Sequence, residues 1–288
     1  MNKYEFIDSF SMSIASLFTG KKRYFSKDIN SKKIYELLNL IKIEMPKIDG
    51  EGYYTVNINY EEINEEAAFR VEQWKGYNYP TIIYHHGAAE GSYDFSFNRI
   101  LANEKNNINA NLIGIQAIFN HSNKEFMNSI KYLSNYTLML ASSVMIVESI
   151  TNHIRKNGSS KIIVTGASLG GFVTNLHFTY FNTADYYKPL LAGARLGDAF
   201  ITSAYSKVTS QNAKQYSKRI REVLNFDIDL RKKDQSNIFP LLSKYDQIVM
   251  YDLHSKDFEP NQITTIPFGH STGAIKYKLL RQHILNGI

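Results

Sequence analysis

The stretch that decides the fold is KIIVTGASLGGF, residues 161 to 172. Its first half is β-branched and apolar, which predicts a buried strand over KIIVTG. Its second half is small residues around one serine, so the strand must run into a turn with almost no side chain. Gly166-Ala167-Ser168-Leu169-Gly170 has the spacing G-x-S-x-G, in which a serine stands on a sharp strand-to-helix turn. A side chain at position 166 or 170 is expected to collide with a neighbouring strand or helix. An ordinary strand-to-helix connection is the alternative reading. The helix expected from Ser168 onward adds positive potential beside the serine oxygen.

Outward from this stretch, strands and helices alternate. YYTVNINY and AAFRVEQW predict two strands joined by an acidic turn from Glu61 to Glu66. PTIIYHHG then reads as a strand, SYDFSFNRILANEKNN as a helix, NLIGIQAIF as a strand and Lys124 to Lys156 as one long helix. Beyond the serine, KPLLAGARL, NIFPLLSKYD and NQITTIPFGH read as strands, and Ser271 to Ile288 as a closing helix. A polar, helix-prone insertion from about Ala199 to Asp234 interrupts them. Such alternation predicts a mostly parallel sheet, whose ligands bind beyond the carboxyl ends of its strands. No repeat or Pro/Gly-rich linker divides the chain, so one main domain is expected.

Composition removes several classes. Zero cysteines exclude a disulfide framework, a thiolate zinc site and a cysteine nucleophile, and fit a cytoplasmic location. The net charge is +6, but no run of five basic residues occurs, so no nucleic-acid partner is expected. The N-terminus reads as a helix and not a signal peptide, because Glu5 and Asp8 precede its apolar stretch and no small-residue cleavage site follows. LSNYTLMLASSVMIVESI, residues 133 to 150, approaches the length of a membrane span. Asn135, Glu148 and five Ser or Thr residues within it predict a buried helix over the sheet instead.

A serine needs a base, and the base needs an acid to fix its tautomer. Of eight histidines, His270 stands just past the last predicted strand beside Gly269, whereas His153, His177 and His283 fall within predicted helices. His121, which also follows a strand, is the rival. Asp246 stands just past the preceding strand, and Asp252 and Asp257 compete with it from farther along. Backbone N–H groups for an oxyanion are expected at Ala88, in the loop His86-Gly87-Ala88, and at Leu169. Ser92 and Ser271 are weaker candidates for the nucleophile, since neither has the flanking glycines and leading strand of Ser168.

The order Ser168, Asp246, His270, the G-x-S-x-G turn and the HHG loop together resemble the α/β-hydrolase superfamily over roughly Tyr53 to Ile288. The resemblance implies an α/β fold with a mostly parallel central sheet of about eight strands flanked by helices. It places residues 51 to 288 in the hydrolase domain, residues 199 to 234 where many members carry a lid, and residues 1 to 50 outside as an N-terminal helical extension. It implies a serine hydrolase, a carboxylesterase by first choice, with Ser168, Asp246 and His270 as the triad. Ala88 and Leu169 would form the oxyanion hole, and His86, Gly87, Gly166 and Gly170 would support it. HHGAAEG departs from the H-G-G-G of many lipases and esterases. The substrate would be a small acyl or ester compound, with no cofactor and no metal. Peptidase, thioesterase and acyltransferase chemistry use the same parts. The alternatives are a non-catalytic binding protein on the same fold, and a lipid-surface enzyme leaning on the basic insertion around Lys214, Lys218 and Arg219.

Overall fold

In the computed structural model, which describes residues 2–20, 23–88, 90, 92–158 and 161–287, the chain builds one nine-stranded sheet. Its strands are β1 (Lys42–Glu44), β2 (Gly52–Tyr60), β3 (Ile63–Gln73), β4 (Thr81–His85), β5 (Asn111–Gln116), β6 (Ile162–Ala167), β7 (Tyr186–Leu190), β8 (Leu241–Ser243) and β9 (Thr264–Ile266). In space they run β1-β2-β3-β5-β4-β6-β7-β8-β9. The pairs from β1 to β5 are antiparallel, and those from β5 through β9 are parallel. After β4 the chain crosses to one side to form β5 and then to the other to form β6. The carboxyl ends of β4 and β6 therefore flank the point where the strand order reverses, which is where an open sheet of this kind leaves a crevice.

Helices α1 (Lys3–Thr19) and α2 (Ile34–Leu38) precede the sheet, and α3 (Phe95–Ile100) follows β4. Between β5 and β6 come α4 (Asn123–Ser129) and α5 (Leu133–Lys156), and α6 (Leu169–Tyr180) leaves β6. Four short helices separate β7 from β8: α7 (Leu196–Thr202), α8 (Gln211–Gln215), α9 (Ser217–Leu224) and α10 (Asp227–Leu230). The chain closes with α11 (Tyr251–His254) before β9, then α12 (His270–Ala274) and α13 (Tyr277–Leu285).

Every residue of β4, β5 and β6 is buried, as expected of parallel strands covered on both faces. Successive residues go to opposite sides: Ile83 belongs to the core cluster that holds Leu140, Val144 and Leu176 of α5 and α6, whereas Ile82 and Tyr84 belong to that of Phe97, Leu280 and Ile284 of α3 and α13. In β2 only one face is covered, with Val56 and Ile58 buried and Thr55 and Asn57 turned outward. Helix α5 alone among the described residues is long and apolar enough to cross a membrane, and 72% of its apolar window is buried inside the molecule. Residues before the sheet also enter the main core, among them Phe25, Ile34 and Leu37, as does Ile48 between β1 and β2.

Several element boundaries differ from those read in the sequence. The long helix expected from Lys124 breaks between α4 and α5, because the N–H groups of Phe25 and Lys27 take the carbonyls of Ile130 and Lys131. The Asp28 carbonyl receives Leu133 N–H. The helix expected over residues 92 to 107 shortens to α3 and a 3₁₀ turn, Ala102–Asn107. The closing helix divides at Lys276 and takes in His270 as its first residue. Only Glu61 and Glu62 form the acidic turn, with Glu61 at φ 52°, and Glu65 and Glu66 lie in β3. KPLLAGARL is strand only to Leu190, since Leu191 turns the chain at φ 55°. Strand β1, of three residues with no alternation to mark it, was absent from the sequence reading.

Candidate active site

Strand β6 delivers Ala167 to the crevice, and Ser168 follows at φ 53° and ψ −110°, a left-handed backbone that costs a non-glycine residue conformational energy. The turn is held by Ser168 N–H, which donates to the Leu190 carbonyl at the end of β7 at 2.9 Å. Gly166 and Gly170 are required by space. A β-carbon on Gly166 would stand 2.6 Å from both the His85 carbonyl oxygen and the Gly170 carbonyl carbon, and one on Gly170 would run into the backbone of His85. Leu169 is the first residue of α6, so its N–H has no carbonyl one turn behind it and remains at the positive end of a twelve-residue helix.

His270 begins α12 just after β9, and its Nε2 lies 2.9 Å from Ser168 Oγ. Its Nδ1 lies 2.7 Å from Asp246 Oδ2, in the loop after β8. The other Asp246 oxygen accepts the N–H groups of Ile248 and Val249, each at 2.7 Å, which locks the carboxylate in place. A carboxylate accepts, so the proton between them belongs to Nδ1, and Nε2 turns its lone pair to the serine hydroxyl. Burial works against the imidazolium, but the charge and hydrogen bond of Asp246, followed by the charge of Asp8, outweigh it and hold the His270 pKa above its ordinary value.

The loop after β4 meets the serine turn because His85 of β4 is paired with Gly166 of β6. His86 is buried, and its Nε2 accepts Ala117 N–H at 3.2 Å while Nδ1 donates to the Gly87 carbonyl at 2.7 Å. Burial lowers its pKa to about 4, so the ring is a neutral strut. Gly87 N–H donates to Glu90 Oε1 at 2.6 Å, and the same oxygen accepts the Ser96 hydroxyl at 2.7 Å. Glu90 Oε2 takes Ser96 N–H at 2.9 Å. Ala88, at the tip of this brace, is half-buried. Ala89 and Gly91 of the same loop lie outside the described residues.

The rivals lie elsewhere. His121 is exposed and paired with Glu125 at 3.1 Å. His153 bonds Tyr77, His177 sits between Tyr187 and Glu148, and His283 donates to the Phe239 carbonyl. Asp257 is held by Arg195 at 2.8 Å, and Asp252 lies on α11. The Ser92 hydroxyl is taken by Asp94. Two residues bearing on the site escaped the sequence reading. Glu90 follows Gly87 by only three positions, so a carboxylate within reach of a loop glycine N–H was the available signal. Asp8 accepts His270 N–H from 262 positions away, and no local pattern marks it.

The strand order, the elbow at Ser168 and the parallel sheet between helices are those of the α/β-hydrolase fold, and the chain has that fold. Solved structures with the same architecture include the Pyrococcus horikoshii acylaminoacyl peptidase, at a TM-score of 0.55 and 12% identity over 82% of this chain. This chain spans only 40% of that peptidase's length. Acetyl xylan esterase 1 from Thermoanaerobacterium sp. matches at a TM-score of 0.53 and 11% identity, covering 82% of this chain and 86% of the esterase. MGS-M2, an alpha/beta hydrolase enzyme from a Medee basin deep-sea metagenome library, matches at 0.53 and 13% identity over 80% of this chain and 95% of its own. No protein-family model matches the sequence, and no curated protein matches it.

Proposed function

We propose that the protein is a serine hydrolase that cleaves a carboxylic ester through an acyl-enzyme on Ser168. The observation that carries this reading is the continuous hydrogen-bonded path from Ser168 Oγ to His270 Nε2 at 2.9 Å and from His270 Nδ1 to Asp246 at 2.7 Å. In this reading Ser168 Oγ attacks the carbonyl carbon as its proton passes to His270 Nε2. The N–H groups of Leu169 and Ala88 receive the oxyanion of the tetrahedral intermediate. Its collapse breaks the C–O bond, His270 returns the proton to the leaving alcohol, and an acyl group stays on Ser168. Water then attacks the acyl carbon, giving its proton to His270, and the acid leaves as Ser168 recovers a proton. Asp246 holds the histidine tautomer throughout. Residues 51 to 288 would form the catalytic domain, with residues 199 to 234 as an insertion in it.

The test is labelling with a fluorophosphonate, joined to a panel of p-nitrophenyl esters of increasing acyl length. One adduct by intact mass, mapped to Ser168 and abolished in Ser168→Ala, is the expected result. Turnover in that variant should fall by about a millionfold, the scale of losing a triad serine. A folded protein that resists the probe and cleaves no ester would favour a binding protein on this fold. An adduct on Ser92 or Ser271 would move the nucleophile.

A further inference from the structure

Helix α1 has an inverted pattern of burial. Phe6 and Phe10 are about half exposed, Leu17 and Phe18 more than four-fifths exposed, yet the one buried residue of the helix is an acid, Asp8, with no exposed surface. Burial of a carboxylate is costly unless donors meet its oxygens. Asp8 Oδ2 accepts the N–H of His270 at 2.6 Å and of Gln247 at 3.2 Å, and Oδ1 accepts the N–H of Ser271 at 2.9 Å. All three donors belong to the two loops that carry the base and the acid: His270 itself, its successor, and the successor of Asp246. The first two are N–H groups of the opening turn of α12, which have no partner within the helix.

The same two loops are gripped a second time, one turn earlier on α1. The Tyr4 ring stacks on Tyr245, the residue before Asp246, with centroids 6.0 Å apart, and meets Phe268 edge-on at 5.5 Å, two residues before His270. Between Phe268 and His270 stands Gly269, where a β-carbon would lie 2.7 Å from Asp8 Oδ2 and 2.9 Å from the Tyr4 carbonyl oxygen. The helix can seat at this depth only because that position has no side chain. On its other flank, Lys207 donates to the Ser9 carbonyl at 2.8 Å and the Ser13 hydroxyl at 3.0 Å.

We infer that Asp8 is a positioning residue of the active site, fixing the backbone of His270 and Gln247 from α1 so that base and acid stay in register. The inference rests on the hydrolase reading above. It follows that the N-terminal helix is part of the catalytic apparatus. The charge of Asp8 also favours the imidazolium that forms when Ser168 gives up its proton. The titratable groups facing His270 are then Asp8 from α1, Asp246 from the loop after β8, and His254 from α11, which burial keeps neutral with a pKa of about 3. Both carboxylates raise the proton affinity of His270. Removal of the Asp8 charge must therefore lower it, and the acid limb of activity must move to lower pH.

The experiment uses the full chain with Asp8→Asn, Asp8→Glu and wild type, each checked for folding by its melting curve. Fluorophosphonate labelling rate, kcat and KM on a cleaved ester, and the His270 titration by nitrogen-15 NMR are measured. Asp8→Asn should label and turn over roughly tenfold more slowly, the scale of one charge-assisted hydrogen bond, with KM nearly unchanged. Its His270 should titrate at lower pH. Asp8→Glu keeps the charge and should restore the wild-type acid limb. A folded Asp8→Asn with wild-type kinetics and an unmoved His270 titration would overturn the inference, as would an Asp8→Glu whose pH profile matches that of Asp8→Asn. The NMR titration does not depend on turnover. A wild type that takes no label and cleaves no ester therefore counts against the hydrolase reading, while a His270 titration that moves in Asp8→Asn still supports the link from Asp8 to His270.

Discussion

Asp246 faces His270 with one oxygen only: Oδ2 meets Nδ1 at 2.7 Å while Oδ1 is occupied by the N–H groups of Ile248 and Val249. The division decides what Asp246→Asn would do. The amide oxygen must stay with the two backbone donors, so the NH₂ would turn to His270 and force Nδ1 to accept. The ring proton would move to Nε2, which could then no longer take the serine proton. Turnover of an ester should fall by about four orders of magnitude, whereas Asp252→Asn on α11 should stay close to wild type. Steady-state kcat for both variants checks this, and an exchange of the two effects would discard Asp246.

The direction of the His270 pKa sets the pH profile. His270 acts as a base only when neutral, and Asp246 and Asp8 outweigh burial to raise its pKa. The acid limb of kcat/KM should thus have its midpoint above the ordinary histidine value of about 6.5. Activity is lost as pH falls through that midpoint. A profile with its midpoint below the ordinary value would contradict the paired, charged environment described for the ring.

His121 and His270 both follow strands, but only His270 reaches Ser168. His121→Ala removes an exposed ring paired with Glu125 and should retain most activity. His270→Ala should lose nearly all of it, and also lose fluorophosphonate labelling. Retained labelling in His270→Ala with loss in His121→Ala would reverse the assignment of the base.

The elbow makes a prediction about stability. In Gly166→Ala the new methyl would meet two backbone groups at 2.6 Å, neither of which can rotate away. Overpacking of this kind should cost about 3 kcal/mol, lowering the melting temperature by roughly 5 °C in a chain of this length. Calorimetry on the purified variant is the measurement, and an unchanged melting temperature would mean that the turn is looser than described.

Glu90 braces the loop that carries Ala88. Glu90→Gln leaves one oxygen for donors that now use two, so an amide N–H must face either Gly87 N–H or Ser96 N–H. The loop should shift, with kcat falling roughly tenfold to a hundredfold and KM little changed, short of the hundred- to thousandfold loss from removing an oxyanion donor outright. An unaffected kcat would separate Glu90 from the site.

What could be read in the sequence alone was whatever is decided within about ten residues. The strand over KIIVTG, the serine turn and the helix after it follow from apolar patterning and from steric limits on backbone angles, which are local properties. For the same reason the strands before and after the turn, and the strand-end positions of Asp246 and His270, were visible. Tertiary structure decided the rest. The break between α4 and α5 exists because residues 25 to 28 supply hydrogen bonds there, and the chain is helical on either side of it. β1 forms only because β2 offers it an edge. Asp246 could be preferred to Asp252 from its strand-end position, but the contact of its carboxylate with His270 depends on how the loop after β8 turns. Asp8 was beyond local reading altogether: its partner lies 262 positions away, and on an isolated helix it would look like any solvated acid. A carboxylate becomes a buried anchor only when the fold carries backbone N–H groups to it, and the sequence pattern around residue 8 contains no record of where residue 270 will be.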